Sequence, residues 1–170
     1  MNMNRMLLGM MLVFFAVVSP CLAEKEDGGA KLVAQVTALL EQHDAAFAAQ
    51  DIKGIMKTYV AGPQIFLMGT GPGEIYRGPE GIEGAYTQFA NKFDKGTAVF
   101  TYNWVSAGSS GDVAWFAAEY TVKGKVKDEM KEFEVNVSGT LKKQKGKWRI
   151  LALHFSRLGV PAEPNEPEPK

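Results

Sequence analysis

The second half of this chain consists of four strand-length runs joined by short polar links, and this pattern limits the folds that are open to it. The runs are rich in Val, Phe, Tyr, Trp and Thr, which favour strands, and they cover 97–106, 112–123, 129–142 and 147–156. Consecutive strands with short links pair as an antiparallel meander. The last run is predicted to close a curved sheet around a pocket.

The first half of the chain has helical periodicity. Apolar residues recur at helical spacing over 30–50, and Asp51 has the character of an N-cap for a second, shorter helix. A third helix is predicted over 80–93, after a short strand at 64–68 and a glycine-rich turn at 69–73. Helices followed by antiparallel strands, with the helices on one face of the sheet, predict a single α+β domain.

Residues 1–23 have the pattern of a secretory signal peptide. A basic start is followed by an apolar run at 6–18, and Ala23 is a small residue suited to cleavage. The run is shorter than the roughly 20 residues that span a bilayer comfortably. We therefore expect a periplasmic or secreted domain with no membrane contact after cleavage. A retained anchor and lipidation at Cys21 are the alternatives, and Pro20 disfavours the second.

The predicted mature chain is one domain of ordinary size. It comprises a polar lead-in at 24–29, the folded domain at 30–160 and a Pro/Glu tail at 161–170 that is predicted to be disordered. Removing residues 1–23 takes away one basic residue and leaves a net charge of −1. That balance argues against nucleic acid as a partner. The chain's one cysteine leaves with the signal, so no disulfide or cysteine nucleophile is expected.

Four motifs in sequence order resemble the SnoaL-like branch of the nuclear transport factor 2-like superfamily, over about residues 31–159. They are Gln-Asp-Ile at 50–52, Tyr-Arg-Gly-Pro-Glu-Gly-Ile at 76–82, Gly-Asp-Val-Ala-Trp-Phe at 111–116, and Gly-Lys-Trp-Arg-Ile at 146–150 with His-Phe-Ser at 154–156. The resemblance implies a cone-shaped, curved antiparallel sheet wrapped over three N-terminal helices, also described as cystatin-like, with a pocket between them. It also implies a dimer through the outer sheet face, but no single activity.

The ketosteroid isomerase-like members of this superfamily give the sharpest comparison. Their helix-1 tyrosine falls at His43, their general base at Leu67 and their second acid near Ser138. Leucine cannot abstract a proton, and serine cannot act as a protonated carboxylic acid. Steroid-type isomerisation is therefore not expected. No metal or other cofactor is expected either, since the chain has only two histidines, on elements that are not predicted to converge.

Strand alternation groups a set of side chains on the pocket face. With the last strand as reference, the predicted ligand-binding residues are Leu67, Trp115, Ala117, Asn136, Ser138, Leu153 and Phe155. The third strand also permits the opposite interpretation, in which Val135 and Val137 are core and the polar residues between them face solvent. The pocket interpretation is preferred because a ligand site needs a few polar groups on an apolar wall.

Glu119 and His43 are the candidate catalytic residues. Glu119 lies in an otherwise apolar segment, so it either reaches solvent near a strand end or serves as an acid inside the pocket. His43 lies on the apolar stripe of the first helix, where a hydrogen-bonded core histidine is the alternative to a catalyst. If the two face each other, they form a proton relay.

The other face of the last strand carries Trp148, Ile150 and His154, and this stripe is predicted to form a homodimer interface. The leading hypothesis is an exported domain that binds a small, largely apolar ligand without an assigned catalytic step. One alternative is an isomerase or hydratase that uses Glu119 and His43. The other is an assembly or partner-binding module.

Overall fold

The computed structural model describes residues 21–157, and it describes side chains from residue 28 onward. The elements in chain order are α1 (Cys21–Ala48), α2 (Ile52–Met56), β1 (Phe66–Met68), β2 (Ile75–Arg77), α3 (Gly78–Ala90), β3 (Val99–Ser110), β4 (Val113–Val126), β5 (Glu129–Gln144) and β6 (Lys147–Arg157). Helices packed on one face of a curved six-stranded sheet confirm the predicted α+β class. The predicted tail and all but the last three residues of the predicted signal peptide lie outside the described residues.

The sheet has the strand order β2-β1-β6-β5-β4-β3, so the last strand lies inside the sheet and not at its edge. Strand β6 pairs antiparallel with β5 and parallel with β1. The predicted antiparallel meander is confirmed for β3 to β6, and the parallel pair of β1 with β6 is an addition that the sequence did not predict. The parallel pair arises because α3 and the meander β3–β5 intervene between β1 and β6, so the chain returns in the same direction.

The meander strands are longer than predicted because the turns between them are tight. Two residues with positive φ stand at each of the turns after β4 and β5, Lys127 with Asp128 and Lys145 with Gly146. This is the backbone of a type I′ hairpin, whose twist matches that of its strands. The glycine-rich segment at 107–111, predicted to be a link, belongs mostly to β3.

The helices lie close to their predicted positions. Helix α1 covers Cys21–Ala48 and so includes residues before the predicted start at residue 30, since the two glycines at 28 and 29 cost helical stability without ending the helix. Asp51 caps α2 by accepting a hydrogen bond from the amide of Gly54 at 2.9 Å, as predicted. Pro79 stands in the first turn of α3. Within the described residues, no helix has the length and apolarity to cross a membrane.

A register shift in β6 makes the predicted inward and outward assignment wrong for the residues of that strand before Leu151. Thr140 pairs with Ala152 and Leu141 pairs with Ile150, so Leu151 is an extra residue that reverses the alternation. Ile150 is therefore fully buried under the helices. Trp148 also faces them, because its indole nitrogen donates to Gln35 of α1 at 3.1 Å. The prediction that Trp148 and Ile150 lie on the outer face is wrong.

The predicted facing of β4 and β5 is wrong as well. In β4 the buried residues are Ala114, Phe116, Ala118, Tyr120 and Val122, so Trp115, Ala117 and Glu119 lie on the outer face. In β5 the buried residues Val135 and Val137 leave Asn136 and Ser138 on the outer face. The physical reason is the pairing of Phe155 with Val137 and of Leu153 with Gly139, which places the valines of β5, and not its polar residues, beside the inward residues of β6.

Candidate functional site

A cavity of about 390 Å³ opens between the helices and the concave face of the sheet. Its wall is aromatic, with six phenylalanines from α1, the end of α3 and four different strands or loops: Phe47, Phe89, Phe93, Phe100, Phe133 and Phe155. Val122, Val126 and Val135 complete the apolar lining. The volume lies in the range of small-molecule sites, which are concave and mostly apolar with a few polar groups.

The floor of the cavity is a chain of buried hydrogen bonds centred on His43. The ring nitrogen Nδ1 of His43 lies 3.0 Å from Oδ1 of Asp44, and Nε2 lies 2.8 Å from the hydroxyl of Tyr86. That hydroxyl lies 2.8 Å from the hydroxyl of Tyr59, and Tyr102 donates to the other oxygen of Asp44. The chain thus connects α1, α3, strand β3 and the segment after α2.

The directions of these hydrogen bonds follow from the chemistry of each group. An ionised Asp44 only accepts, so Nδ1 of His43 carries the proton that it donates. In the neutral ring Nε2 then accepts from Tyr86, whose oxygen accepts in turn from Tyr59. If the His43 ring were charged, Nε2 would donate to Tyr86, and Tyr86 would then have to donate to Tyr59. The buried hydroxyl of Tyr59 would have no acceptor for its own proton. The network is therefore complete with His43 neutral, and neither ring nitrogen is available to a ligand.

Burial raises the pKa of all four tyrosines around this floor. For Tyr59 the hydrogen bond with Tyr86 offsets part of the rise, and for Tyr102 and Tyr120 the charge of Asp44 adds to it. For Tyr86 the neighbouring Tyr59 adds to the effect of burial. These phenols are therefore neutral hydrogen-bond donors at physiological pH.

Tyr120 differs from Tyr59, Tyr86 and Tyr102 because its hydroxyl has no hydrogen-bond partner among residues 28–157. Every fully buried side-chain nitrogen or oxygen in that part of the chain has a partner, so the Tyr120 hydroxyl contacts the open space of the cavity. Each carboxylate oxygen of Asp44 already accepts one bond and has room for a second. Tyr120 as a donor and Asp44 as an acceptor are thus the polar groups that a ligand can reach.

The structure separates the two residues predicted to be catalytic. His43 lines the cavity, whereas Glu119 lies on the outer face and accepts a hydrogen bond from Asn103 at 3.2 Å. The predicted relay between them is therefore wrong. Glu119 pairs across strands with Asn136, and Ser138 pairs with His154, so these four polar residues share the outer face of the sheet.

Of the remaining predicted ligand-binding residues, only Phe155 lines the cavity. Leu67 and Leu153 are fully buried core residues that pair with each other between β1 and β6. Asp44, Tyr86 and Tyr120 were missed as site residues. The available signal was Asp44 beside a histidine on a buried helical stripe, since an acid in that position requires partners.

The mouth of the cavity carries charge. Lys92 and Arg157 line it together with Glu74, which accepts a hydrogen bond from the amide of Gly71 at 2.8 Å. The turn after α3 that carries Lys92 is held by Gln50, whose side chain donates to the carbonyl oxygens of Ala90 and Phe93, at 3.1 Å each. The rim is therefore built from elements of both halves of the chain.

Within residues 28–157, no three histidine, cysteine or acidic side chains converge in a way that could hold a metal ion.

The SnoaL-like domain family matches residues 36–162, which is most of the chain. The chain belongs to this family. No curated protein matches the sequence significantly.

Solved structures similar to this SnoaL-like domain have the same fold at low sequence identity. A nuclear transport factor 2-like superfamily protein from Salmonella enterica has a TM-score of 0.66 and 16% identity, over 79% of this chain and 98% of that one. A nuclear transport factor 2-like protein with a cystatin-like fold from Novosphingobium aromaticivorans has a TM-score of 0.62 and 12% identity, over 86% and 95%. A nuclear transport factor 2-like protein of unknown function from Pseudomonas putida has a TM-score of 0.62 and 17% identity, over 75% and 87%. These similarities show the fold alone.

The buried floor predicts a contrast between two tyrosines. Tyr86→Phe should lower the free energy of unfolding by about 1–3 kcal/mol, because it leaves His43 and Tyr59 without their shared partner. Tyr120→Phe should cost less than about 1 kcal/mol, since its hydroxyl bonds to no described residue. Urea unfolding of both variants measures the difference. Equal losses in the two variants would show that the hydrogen-bonded chain does not stabilise the fold.

Proposed function

We propose that this SnoaL-like domain binds a small, largely apolar molecule in the cavity between its helices and sheet. The observation that carries the proposal is the wall of six phenylalanines around a volume of about 390 Å³. An aromatic surface that remains open to solvent inside a folded domain is costly unless a ligand covers it. Asp44 and Tyr120 supply the few polar contacts that would orient such a ligand.

The same geometry favours binding over catalysis. Both ring nitrogens of His43 are engaged by protein groups, so a ligand would have to displace Tyr86 before Nε2 of His43 could accept a proton from it. Leu67, at the position of the isomerase base, is core and carries no proton-transfer chemistry. An isomerase or hydratase that joins Glu119 to His43 has no support, because Glu119 lies on the outer face of the sheet whereas His43 lies on α1, which packs against the inner face.

We also propose that two copies of the domain associate through the outer face of the sheet. Trp104 and Trp115 are 55% and 54% exposed there, and the ring of Trp115 lies across Gly108 as a flat apolar surface. Residues with small side chains, Ala117 and Ser138, pair across the strands of the same face. His154 shares this face, as the sequence predicted, whereas the apolar contribution comes from other tryptophans than the predicted Trp148.

Export remains a prediction that is made from the sequence of residues 1–23. It places the ligand outside the cytoplasm, and a mature chain that begins at Glu24 in intact-mass measurements of the periplasmic or secreted protein would support it. Protein recovered only in the cytoplasmic fraction of its native host would contradict export, and an exported chain that retains residues 1–23 would contradict cleavage after Ala23 alone.

Filling the cavity should abolish binding. We expect the neutral fluorophore N-phenyl-1-naphthylamine to gain fluorescence on binding the purified protein, and Val135→Phe to weaken its affinity at least about tenfold because the added ring occupies the cavity. Val122→Phe fills the same space from β4 and provides a second test, with circular dichroism to confirm folding. Glu119→Gln on the outer face is the matched control and should bind as the wild type does. No fluorescence gain with the wild type, or equal affinity in all variants, would refute the proposal.

The outer face predicts the oligomeric state. Sedimentation velocity should show a dimer for the wild type and a monomer for the double variant Trp104→Glu with Trp115→Glu, because two charges would have to be buried in the interface. Met130→Glu changes an equally exposed apolar residue at the β4–β5 hairpin and should leave the dimer intact. A wild-type monomer would exclude this interface.

A further inference from the structure

The cavity is electrically asymmetric. On its inner side stands the carboxylate of Asp44, held by His43 and Tyr102. At its mouth stand the cations Lys92 and Arg157, and neither has a carboxylate within 4.0 Å among residues 28–157. Glu74 at the same mouth offsets only one of these two positive charges, so the mouth keeps a net positive charge. A ligand that enters this cavity therefore meets a positive rim and a negative floor.

Both cations are held on the aromatic wall itself. Nζ of Lys92 lies 5.1 Å from the ring centre of Phe89, and the guanidinium of Arg157 lies 5.0 Å from that of Phe133. Contacts of this kind fix a cation over a ring face and favour its desolvated position. The charges therefore stand where the apolar wall ends, and an apolar ligand would pass directly beneath them.

The strand pairing gives the distance between the two ends of the cavity. One row across the inner face of the sheet runs through Tyr102, Tyr120, Val135 and Arg157, on β3, β4, β5 and β6. With neighbouring strands about 4.8 Å apart, the backbones of Tyr102 and Arg157 are roughly 14 Å apart. Asp44 accepts a hydrogen bond from Tyr102 and therefore lies at the Tyr102 end of this row. An anion beside Arg157, at the opposite end, is separated from the Asp44 carboxylate. The free hydroxyl of Tyr120 lies between these two ends.

We propose that the ligand of this cavity is an amphipathic anion, with a carboxylate or a similar acidic group at the mouth and an apolar ring system or chain inside. This inference rests on the proposed binding function and narrows it to a chemical class. Arg157 can bind a planar anion through two parallel hydrogen bonds, and Lys92 adds a compact charge. Tyr120 donates to a neutral acceptor in the body of the ligand. Asp44 excludes the reversed orientation, in which the acidic group would enter first.

Two fluorophores that share one apolar body test this class. N-phenyl-1-naphthylamine is neutral, and 1-anilinonaphthalene-8-sulfonate adds a single anionic group to the same rings. We expect the purified protein to bind the anionic probe at least about fivefold more tightly than the neutral one at low ionic strength, and expect the preference to fall as salt is raised.

Variants locate the source of the preference. The double variant Lys92→Gln with Arg157→Gln should lose the preference, so that the ratio of its affinities for the two probes falls to about one. Lys142→Gln removes a cation outside the cavity and should keep the preference. Val135→Phe should reduce the binding of both probes, which places them in the cavity.

The outcomes separate the two proposals. If neither probe binds, the cavity is not a ligand site and both proposals fail. If the probes bind equally, or if the preference survives loss of both Lys92 and Arg157, the charge inference fails while the binding function stands. Anionic probe that still binds after Val135→Phe would lie outside the cavity and would also contradict the inference.

Discussion

The hydrogen-bonded chain from Tyr59 through Tyr86, His43 and Asp44 to Tyr102 is the interaction on which the interior depends. Five polar side chains lie where apolar ones would otherwise fill the space between helices and sheet. Buried groups of this kind are tolerated only when each has a partner, and here the neighbours His43 and Asp44 of α1 are joined, directly or through Tyr86, to tyrosines from three other parts of the chain. The network thereby fixes α1 against α3 and against β3, and the position of the cavity follows from it.

The sequence predicted the elements well because their signals are local. Helical periodicity, the cap at Asp51 and the polar links of the meander all act within a few residues, and the structure departs from them mainly at element ends. The short strand at 75–77 was missed, since three residues, one of them the half-exposed Ile75, carry no periodicity. The parallel pairing of β1 with β6 was also beyond local signals, because no residue near either strand specifies it.

The site was predicted less well, and one extra residue explains much of the loss. Alternation is a reliable guide only within an uninterrupted strand, and Leu151 interrupts β6. Trp148 and Phe155 therefore share a face although their spacing assigns them to opposite ones. The prediction that Asn136 and Ser138 of β5 face the pocket was wrong for a different reason. The apolar alternation of Val135 and Val137 correctly indicated the inner face, but it was set aside because a ligand site was expected to need polar groups on its wall. The polar groups that a ligand can reach inside the pocket come from Asp44 on α1 and from Tyr120, and the charged groups at its mouth are Glu74, Lys92 and Arg157.

The central position of β6 also determines when the domain can become complete. Strand β1 pairs Phe66 with Ala152 and Met68 with His154, so its hydrogen bonds to β6 wait for residues more than eighty positions further along the chain. Contacts of such sequence separation form late and slow the folding of a domain, whereas the β3–β4–β5 hairpins can form as soon as they are made. During synthesis the hairpins and helices thus exist before the cavity does, and the last eleven residues of the described fold complete it.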